Sequence, residues 1–169
     1  RHNRTTSRPV SPESTFPAAP AAPSCVQRKA STLRASPATG LPPTLPGGAP
    51  WPRISIVTPS FNQGAYIEET LLSVARQGYP NVEHLVVDGG STDGTQKIVD
   101  RYHSVDARVR LIDASPVDPR WTGKAWGLNF GLQQSYRQCT WILTVDADVW
   151  VSPELVRSLL AHAKKTSVT

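Results

Sequence analysis

The chain has 169 residues, 38% of them hydrophobic, and a formal net charge of +5. The charge lies in residues 1–51, which contain six Lys or Arg and one acid, whereas residues 52–169 contain twelve of each. A neutral folded region gives no compositional support for a nucleic-acid partner. The two cysteines and four histidines lack the spacing of a disulfide framework or a metal site.

Residues 1–51 also differ in composition from the rest of the chain. They contain ten of the sixteen prolines, together with much Ser, Thr and Ala, and show no hydrophobic periodicity. Such a segment cannot bury enough apolar surface to offset the entropy of the chain. The sequence therefore predicts a disordered tail over residues 1–51 and one modest core over residues 52–169.

Strand and helix patterns alternate along residues 52–169. Apolar runs bounded by turn residues predict strands at 54–58, 83–87, 109–112 and 141–145. Apolar residues at helical spacing predict helices at 66–77, 95–103, 124–136 and from Ser152 onward. We expect Pro59 to end the first strand. The order βαβαβαβα is typical of an α/β fold with a mostly parallel sheet, which binds ligands at the carboxyl ends of its strands.

The loop after the first strand carries polar groups toward that edge. Thr58, Ser60 and Asn62 offer hydroxyl and amide groups just before a helix, a natural place for a base, a ribose or a phosphate. Turns use the same residue types, so this loop by itself fits either a binding site or a turn. Lys124, at the start of the third helix, either neutralises a phosphate or is a solvated surface lysine.

The loop after the second strand contains two acids and three glycines. Asp88, at the strand end, can accept a hydrogen bond from a ribose or a pyrimidine, and Gly90 allows close approach of the backbone. Asp93 fits the role of a turn or helix cap better than that of a ligand. The glycine spacing is not the G-x-G-x-x-G fingerprint of dinucleotide-binding folds.

Two acids at i and i+2, Asp146 and Asp148, follow the fourth apolar run. In an extended chain such side chains leave the same face, roughly 6.5–7 Å apart at Cα. They would hold one divalent cation together with a diphosphate, and the alternative is an Asp-turn that closes the strand. We expect Asp148 to be the last residue of the strand and closest to the crevice.

Four segments together resemble family 2 glycosyltransferases in order and spacing. They are Thr58–Asn62, Val86–Thr95, Gly123–Leu132 and Val145–Asp148, and the resemblance extends from residue 53 to about residue 165. Two positions depart from the family pattern: Gly89 stands where many members have a second Asp, and Trp126 replaces a smaller residue.

The resemblance implies a Rossmann-like GT-A fold, a nucleotide-sugar donor that is most often UDP-linked, and a Mg²⁺ or Mn²⁺ ion. It places Pro59 and its neighbours in the nucleotide pocket and Asp88 at the base. It makes Asp146 the acid on the ribose or metal side and Asp148 the direct metal ligand.

Family members continue beyond the Asp-x-Asp into an acceptor-binding half that supplies the catalytic base. The resemblance therefore implies a C-terminally truncated donor-binding half, with its Asp or Glu base beyond Thr169 and little sugar transfer by this chain alone. We expect the whole enzyme to be inverting and to act on a glycan or lipid acceptor in cell-envelope or polysaccharide biosynthesis. A cytoplasmic location, at the cytoplasmic face of a membrane through the missing region, fits this interpretation.

Three other functions compete with a glycosyltransferase. A non-catalytic nucleotide-sugar-binding fragment would show binding without transfer. A phosphatase of the haloacid dehalogenase type would use Asp146 as nucleophile and Asp148 as acid/base, but that motif normally opens its domain and here it comes last. A nucleotidyltransferase would need a Gly-rich basic loop after the first strand, and the sequence has none there.

Overall fold

The structure is a computed structural model that describes residues 44–45, 48–137 and 139–166. Most of the predicted tail lies outside these residues. Four strands form one sheet: β1 (Ile54–Ser60), β2 (Val82–Asp88), β3 (Val109–Asp113) and β4 (Trp141–Thr144). Four helices alternate with them: α1 (Ile67–Ala75), α2 (Thr95–His103), α3 (Gly123–Gln134) and α4 (Leu155–Thr166).

All strand pairs are parallel, and the strand order is β3-β2-β1-β4. This confirms the predicted Rossmann-like α/β fold with a parallel sheet and flanking helices. β1 lies between β2 and β4, so the segments that follow all three strands come together at one edge. None of the described helices is long and apolar enough to cross a membrane.

β1 runs through Pro59 to Ser60, so the prediction that Pro59 ends the strand is wrong. β2 pairs with β1 as far as Ser60, but β4 pairs with it only as far as Val57. Beyond Val57, one side of β1 has no partner strand among the described residues. Proline is tolerated at such a position because no neighbouring carbonyl needs its missing N–H.

The two faces of the sheet are covered by different helices. On one face Val57, Leu85 and Val87 form a core cluster against side chains of α3. On the other face Val86 packs with side chains of α1 and α2. Because side chains alternate along a strand, successive residues of β1 and β2 serve these two cores in turn.

β4 is an edge strand with apolar side chains in solvent. Every residue of β2 is buried, whereas Trp141 and Ile142 on β4 are 36% and 41% exposed. Parallel sheets are normally covered on both faces, yet no strand in the described part of the chain pairs with the outer side of β4. The helical layers that bury β1 and β2 therefore leave most of β4 exposed.

His84 lies in the core within β2, with only 2% of its surface exposed. Its Nε2 is 2.9 Å from Thr58 Oγ1, and its Nδ1 has no partner among the described residues. Burial lowers the pKa of His84 to about 4, because the protonated ring would have to be desolvated. The imidazole is therefore neutral in the folded protein at neutral pH.

We predict that acid destabilises the protein through His84. The unfolded chain protonates this ring near its ordinary pKa of about 6.5, and the folded chain does so only near pH 4. The contribution of the neutral ring to the free energy of unfolding is complete above pH 6.5 and is lost as the pH falls toward 4, by roughly 3 kcal/mol. Urea unfolding between pH 7.5 and 4.5 measures it.

The variant His84→Gln is the control, because its amide can keep a hydrogen bond to Thr58 and does not titrate. As the pH falls, the unfolding free energy of the parent should decrease relative to that of the variant, because only the parent loses the contribution of the neutral ring. A difference that stays constant across this range would contradict the assignment to His84.

Candidate functional site

A cavity of about 530 Å³ opens at the sheet edge where β1 and β2 end. Its walls come from the end of β1 and the residues after it, the segment after β4, and the start of α3. The lining residues are Pro59, Ser60, Phe61, Gln63, Gly89, Val117, Gly123, Lys124, Asp146, Ala147 and Asp148. The cavity therefore lies at the carboxyl ends of parallel strands, where ligands bind in open α/β sheets.

Asp146 and Asp148 both line this cavity. β4 ends at Thr144, so the expectation that Asp148 is the last residue of the strand is wrong. The alternation of buried and exposed side chains nevertheless continues past the end of the strand: Val145 and Ala147 are buried, and the two acids are exposed. The segment is tied to α1, where Thr70 Oγ1 lies 2.9 Å from both the Ala147 and Val149 carbonyl oxygens.

Lys124 contacts Asp146 across the cavity. Its Nζ lies 2.8 Å from Oδ1 and 2.9 Å from Oδ2 of that carboxylate. Thr122 fixes the start of α3 by accepting a hydrogen bond from Ala125 N at 3.3 Å. Because the Lys124 and Asp146 side chains are 61% and 50% exposed, water screens the pair, and it adds little to stability. An incoming anion or cation can compete for either partner.

Ser60 and Phe61 form the wall at the end of β1. The Ser60 hydroxyl is buried and has no hydrogen-bond partner among the described residues, which is uncommon for a buried polar group. Phe61 exposes 58% of its surface beside it. Phe61 was not among the residues predicted for the site, although a large aromatic residue in a loop otherwise made of turn-forming residues is a signal of such a role.

Asp88 does not line the cavity. It is fully buried, and its carboxylate accepts hydrogen bonds from Gly90 N at 3.0 Å, Ser91 N at 2.7 Å, Ser91 Oγ at 2.5 Å and Gln96 Nε2 at 2.7 Å. Three of these bonds end on Oδ2 and one on Oδ1, so most of the acceptor capacity of the carboxylate is used within the protein. Asp88 thus holds the loop in place, and its neighbour Gly89 forms the cavity wall.

Asn62 ties the first loop to the second. Its Oδ1 accepts a hydrogen bond from Thr92 N at 2.9 Å, and its backbone N–H donates to Ser91 Oγ at 2.8 Å. Its φ of 51° is in the left-handed region, which Asn tolerates better than most residues. Asn62 therefore acts as a connector between loops rather than as part of the cavity wall.

Asp93 reinforces the same connection. Its Oδ2 accepts a hydrogen bond from Gly64 N at 2.7 Å, and its Oδ1 accepts from Thr95 Oγ1 at 2.5 Å and Thr95 N at 3.1 Å. The Thr95 hydroxyl, followed by the Gly64 amide, holds the pKa of Asp93 below its ordinary value. The prediction that Asp93 is a turn or cap residue at the start of α2 is confirmed.

The predicted site residues thus fall into two groups. The structure brings Pro59, Ser60, Lys124, Asp146 and Asp148 together around the cavity. The remaining four, Thr58, Asn62, Asp88 and Gly90, are not in its lining. Thr58 is fully buried, and its hydroxyl pairs with His84 on the face of the sheet opposite α3.

The cavity residues fit a divalent cation that is shared with a phosphate ligand. The described residues contain no cluster of three or more His, Cys, Asp or Glu that would hold a metal by itself. Asp148, however, has no hydrogen-bond or ion-pair partner in the described part of the chain, and carboxylate oxygens suit Mg²⁺ and Mn²⁺. Two acids and one lysine leave the cavity with a net negative charge, which a cation would reverse for an anionic ligand.

Comparisons with known proteins identify the family of this chain. Residues 55–169 match the model of the family described as Glycosyl transferase family 2. The chain is 33% identical over 108 residues to "Putative teichuronic acid biosynthesis glycosyltransferase TuaG" of Bacillus subtilis, an alignment covering 64% of this chain and 41% of TuaG.

Two solved structures are similar in fold and sequence. Staphylococcus aureus TarS 1-349 in complex with UDP shares 29% identity with a TM-score of 0.51, covering 67% of this chain and 32% of that one. The mannosyltransferase PcManGT from Pyrobaculum calidifontis, in complex with GDP-Man and Mn²⁺, shares 28% identity with a TM-score of 0.53, covering 64% and 31%.

The chain therefore spans less than half the length of each of these proteins. The family match nevertheless extends over most of the chain, from the second residue of β1 to the last residue. On that match, the chain belongs to glycosyl transferase family 2.

Proposed function

We propose that this chain is the donor-binding part of a glycosyltransferase that binds a UDP-sugar with Mg²⁺ or Mn²⁺. The whole protein would transfer the sugar to a glycan or lipid acceptor, held by an acceptor-binding half that lies outside residues 52–169. The observation that carries the proposal is one cavity that combines an exposed aromatic ring, a buried hydroxyl with no partner among the described residues, and two acids with a lysine.

The base end of the donor would lie against the end of β1. The exposed ring of Phe61 offers a face on which a nucleobase can stack, and the Ser60 hydroxyl offers the hydrogen bond that it lacks among the described residues. A Cβ at Gly89 would lie 3.5 Å from Val117 Cγ2 and 3.8 Å from Phe61 Cδ2. The missing side chain at Gly89 thus leaves space for one carbon atom in ordinary van der Waals contact with these two side chains.

The diphosphate end would lie at Lys124, Asp146 and Asp148. Lys124 would donate to a phosphate oxygen, and the two acids would hold the cation, with Asp148 as the carboxylate that no group in the described part of the chain engages. When bound, the ion supplies positive charge that stabilises the departing diphosphate. The residues of this chain bind and orient the donor. The general base would come from a part of the whole protein that does not line this cavity.

The similar structures support the ligand class. TarS 1-349 has been crystallised with UDP, and PcManGT with GDP-Man and Mn²⁺. The choice of uridine over guanosine for this chain rests on the family resemblance, and comparison of UDP with GDP in the same assay tests it. Membership in the family also argues against the phosphatase of the haloacid dehalogenase type, which would release phosphate from a generic phosphoester.

We predict that Mn²⁺ tightens UDP binding and that Asp148 carries most of this effect. A cation between carboxylate and diphosphate removes the repulsion between the negative cavity and the negative ligand. In Asp148→Asn, isothermal titration calorimetry should show little Mn²⁺ enhancement while metal-free binding stays near that of the parent. Undiminished enhancement in this variant would contradict the metal assignment.

The variant Asp146→Asn is the matched comparison for that experiment. Asp146 also contacts Lys124 at 2.8 Å, so its loss changes the position of the lysine as well as the cation site. We expect UDP binding to weaken both with and without Mn²⁺. Failure of the parent chain to bind either UDP or GDP in the presence of Mn²⁺ would refute the proposed function.

We predict that Asp88→Ala weakens UDP binding, because the buried donors that it leaves unpaired destabilise the loop by about 1–3 kcal/mol. The loss should arise because residues 89–94 are no longer held, so their amide hydrogen exchange should also rise in the ligand-free protein. Asp100→Ala is the control, since Asp100 is an exposed residue of α2 that does not line the cavity. Unchanged exchange in Asp88→Ala would contradict the loop-holding role.

A further inference from the structure

Two glycines one helical turn apart on α3 face the sheet and leave no space for a side chain. Gly127 and Gly131 are the buried residues of this helix. A Cβ at Gly131 would overlap Val57 Cγ1 and lie 2.9 Å from Val87 Cγ2, and one at Gly127 would lie 3.0 Å from Pro59 Cβ. A methyl group at Gly131 therefore cannot fit unless the helix moves or the valines give way.

Both ends of α3 are fixed along the helix axis. Beyond its C-terminal end, Tyr136 N donates to Glu83 Oε1 at 2.8 Å, and this buried carboxylate also accepts from Ser55 Oγ at 2.6 Å. Near its N-terminal end, Trp126 Nε1 donates to the Ala114 carbonyl at 2.7 Å. Sliding along the axis would break these bonds, so a clash that the valine side chains do not absorb would lift the helix away from the sheet and strain the same bonds.

Lifting would change the cavity directly. The first two residues of α3, Gly123 and Lys124, form part of the cavity wall, and Pro59 beneath Gly127 forms another part. The Lys124 ammonium group reaches the Asp146 carboxylate at 2.8 Å, and a displacement of the helix would move the backbone from which this side chain extends. The height of α3 above the sheet therefore influences where the Lys124 ammonium group lies in the cavity, next to the place proposed for the diphosphate.

We propose that Gly127 and Gly131 are positioning residues for donor binding, because they set the height of α3 and so place Lys124 opposite Asp146. This inference rests on the proposed function. It also accounts for two glycines inside a helix, where glycine is a poor helix former. The glycines touch no ligand and act through the lysine that they place.

Calorimetry with UDP and Mn²⁺ on the full 169-residue chain tests the proposal. Gly131→Ala should weaken binding about tenfold at a temperature where circular dichroism shows the variant folded. Val57→Ala removes the nearer of the two valine methyl groups that the new Cβ at position 131 would meet, and Val87 Cγ2 remains 2.9 Å from it. The double variant Gly131→Ala/Val57→Ala should therefore recover affinity to within about threefold of Val57→Ala alone. Gln133→Ala, an exposed position on the same helix, should bind like the parent.

A second measurement needs no ligand. The indole N–H resonance of Trp126 reports the bond to Ala114, so it should shift in Gly131→Ala and return in the double variant. A shifted resonance with unchanged UDP affinity, or lost affinity that Val57→Ala does not restore, would overturn the positioning role. If the parent chain binds no nucleotide, the proposed function is refuted. If the Trp126 resonance does not shift in Gly131→Ala, the proposal that the glycines set the height of α3 is refuted, whatever the nucleotide binding.

Discussion

The parallel pairing of β1 with strands on both of its sides is the interaction on which the rest of the structure depends. It aligns Ser60 with Asp88 on one side and Val57 with Thr144 on the other. The residues that follow three separate strands therefore meet at one edge, although they are far apart in sequence. Because β4 stops pairing three residues before β1 ends, the segment that carries Asp146 and Asp148 is free to turn toward the cavity.

The acids near this edge divide according to the hydrogen bonds that they already make. Asp88 and Asp93 accept several bonds from nearby backbone and side-chain donors, and they hold their loops in place. Asp146 has one screened contact with Lys124, and Asp148 has no partner among the described residues. A carboxylate keeps capacity for a ligand only where the protein leaves its oxygens unused, so the second pair is the one suited to a cation.

Helix α3 joins the core to the cavity. The face of α3 that is turned to the sheet packs on Val57 of β1 and Val87 of β2. The rings of Trp126 and Phe130 contact each other, with centroids 5.8 Å apart. The first turn of the helix forms part of the cavity wall. A tightly packed core transmits a change in volume as a displacement rather than absorbing it. Packing beneath this helix and the chemistry at its N-terminal end are therefore linked.

The sequence by itself determined the α/β class, the alternation of elements and the cavity residues Ser60, Lys124, Asp146 and Asp148, because periodicity and position at the end of a strand or the start of a helix are local properties. The place of Pro59 in the cavity followed from the resemblance to family 2 glycosyltransferases. Helix α2 was predicted with its observed bounds. The tertiary structure decided which polar groups are already satisfied: Thr58 pairs with His84, and Asn62 with Ser91 and Thr92, across 26 to 30 residues. Such partners are chosen by the three-dimensional approach of separate loops, which no local pattern in the chain encodes.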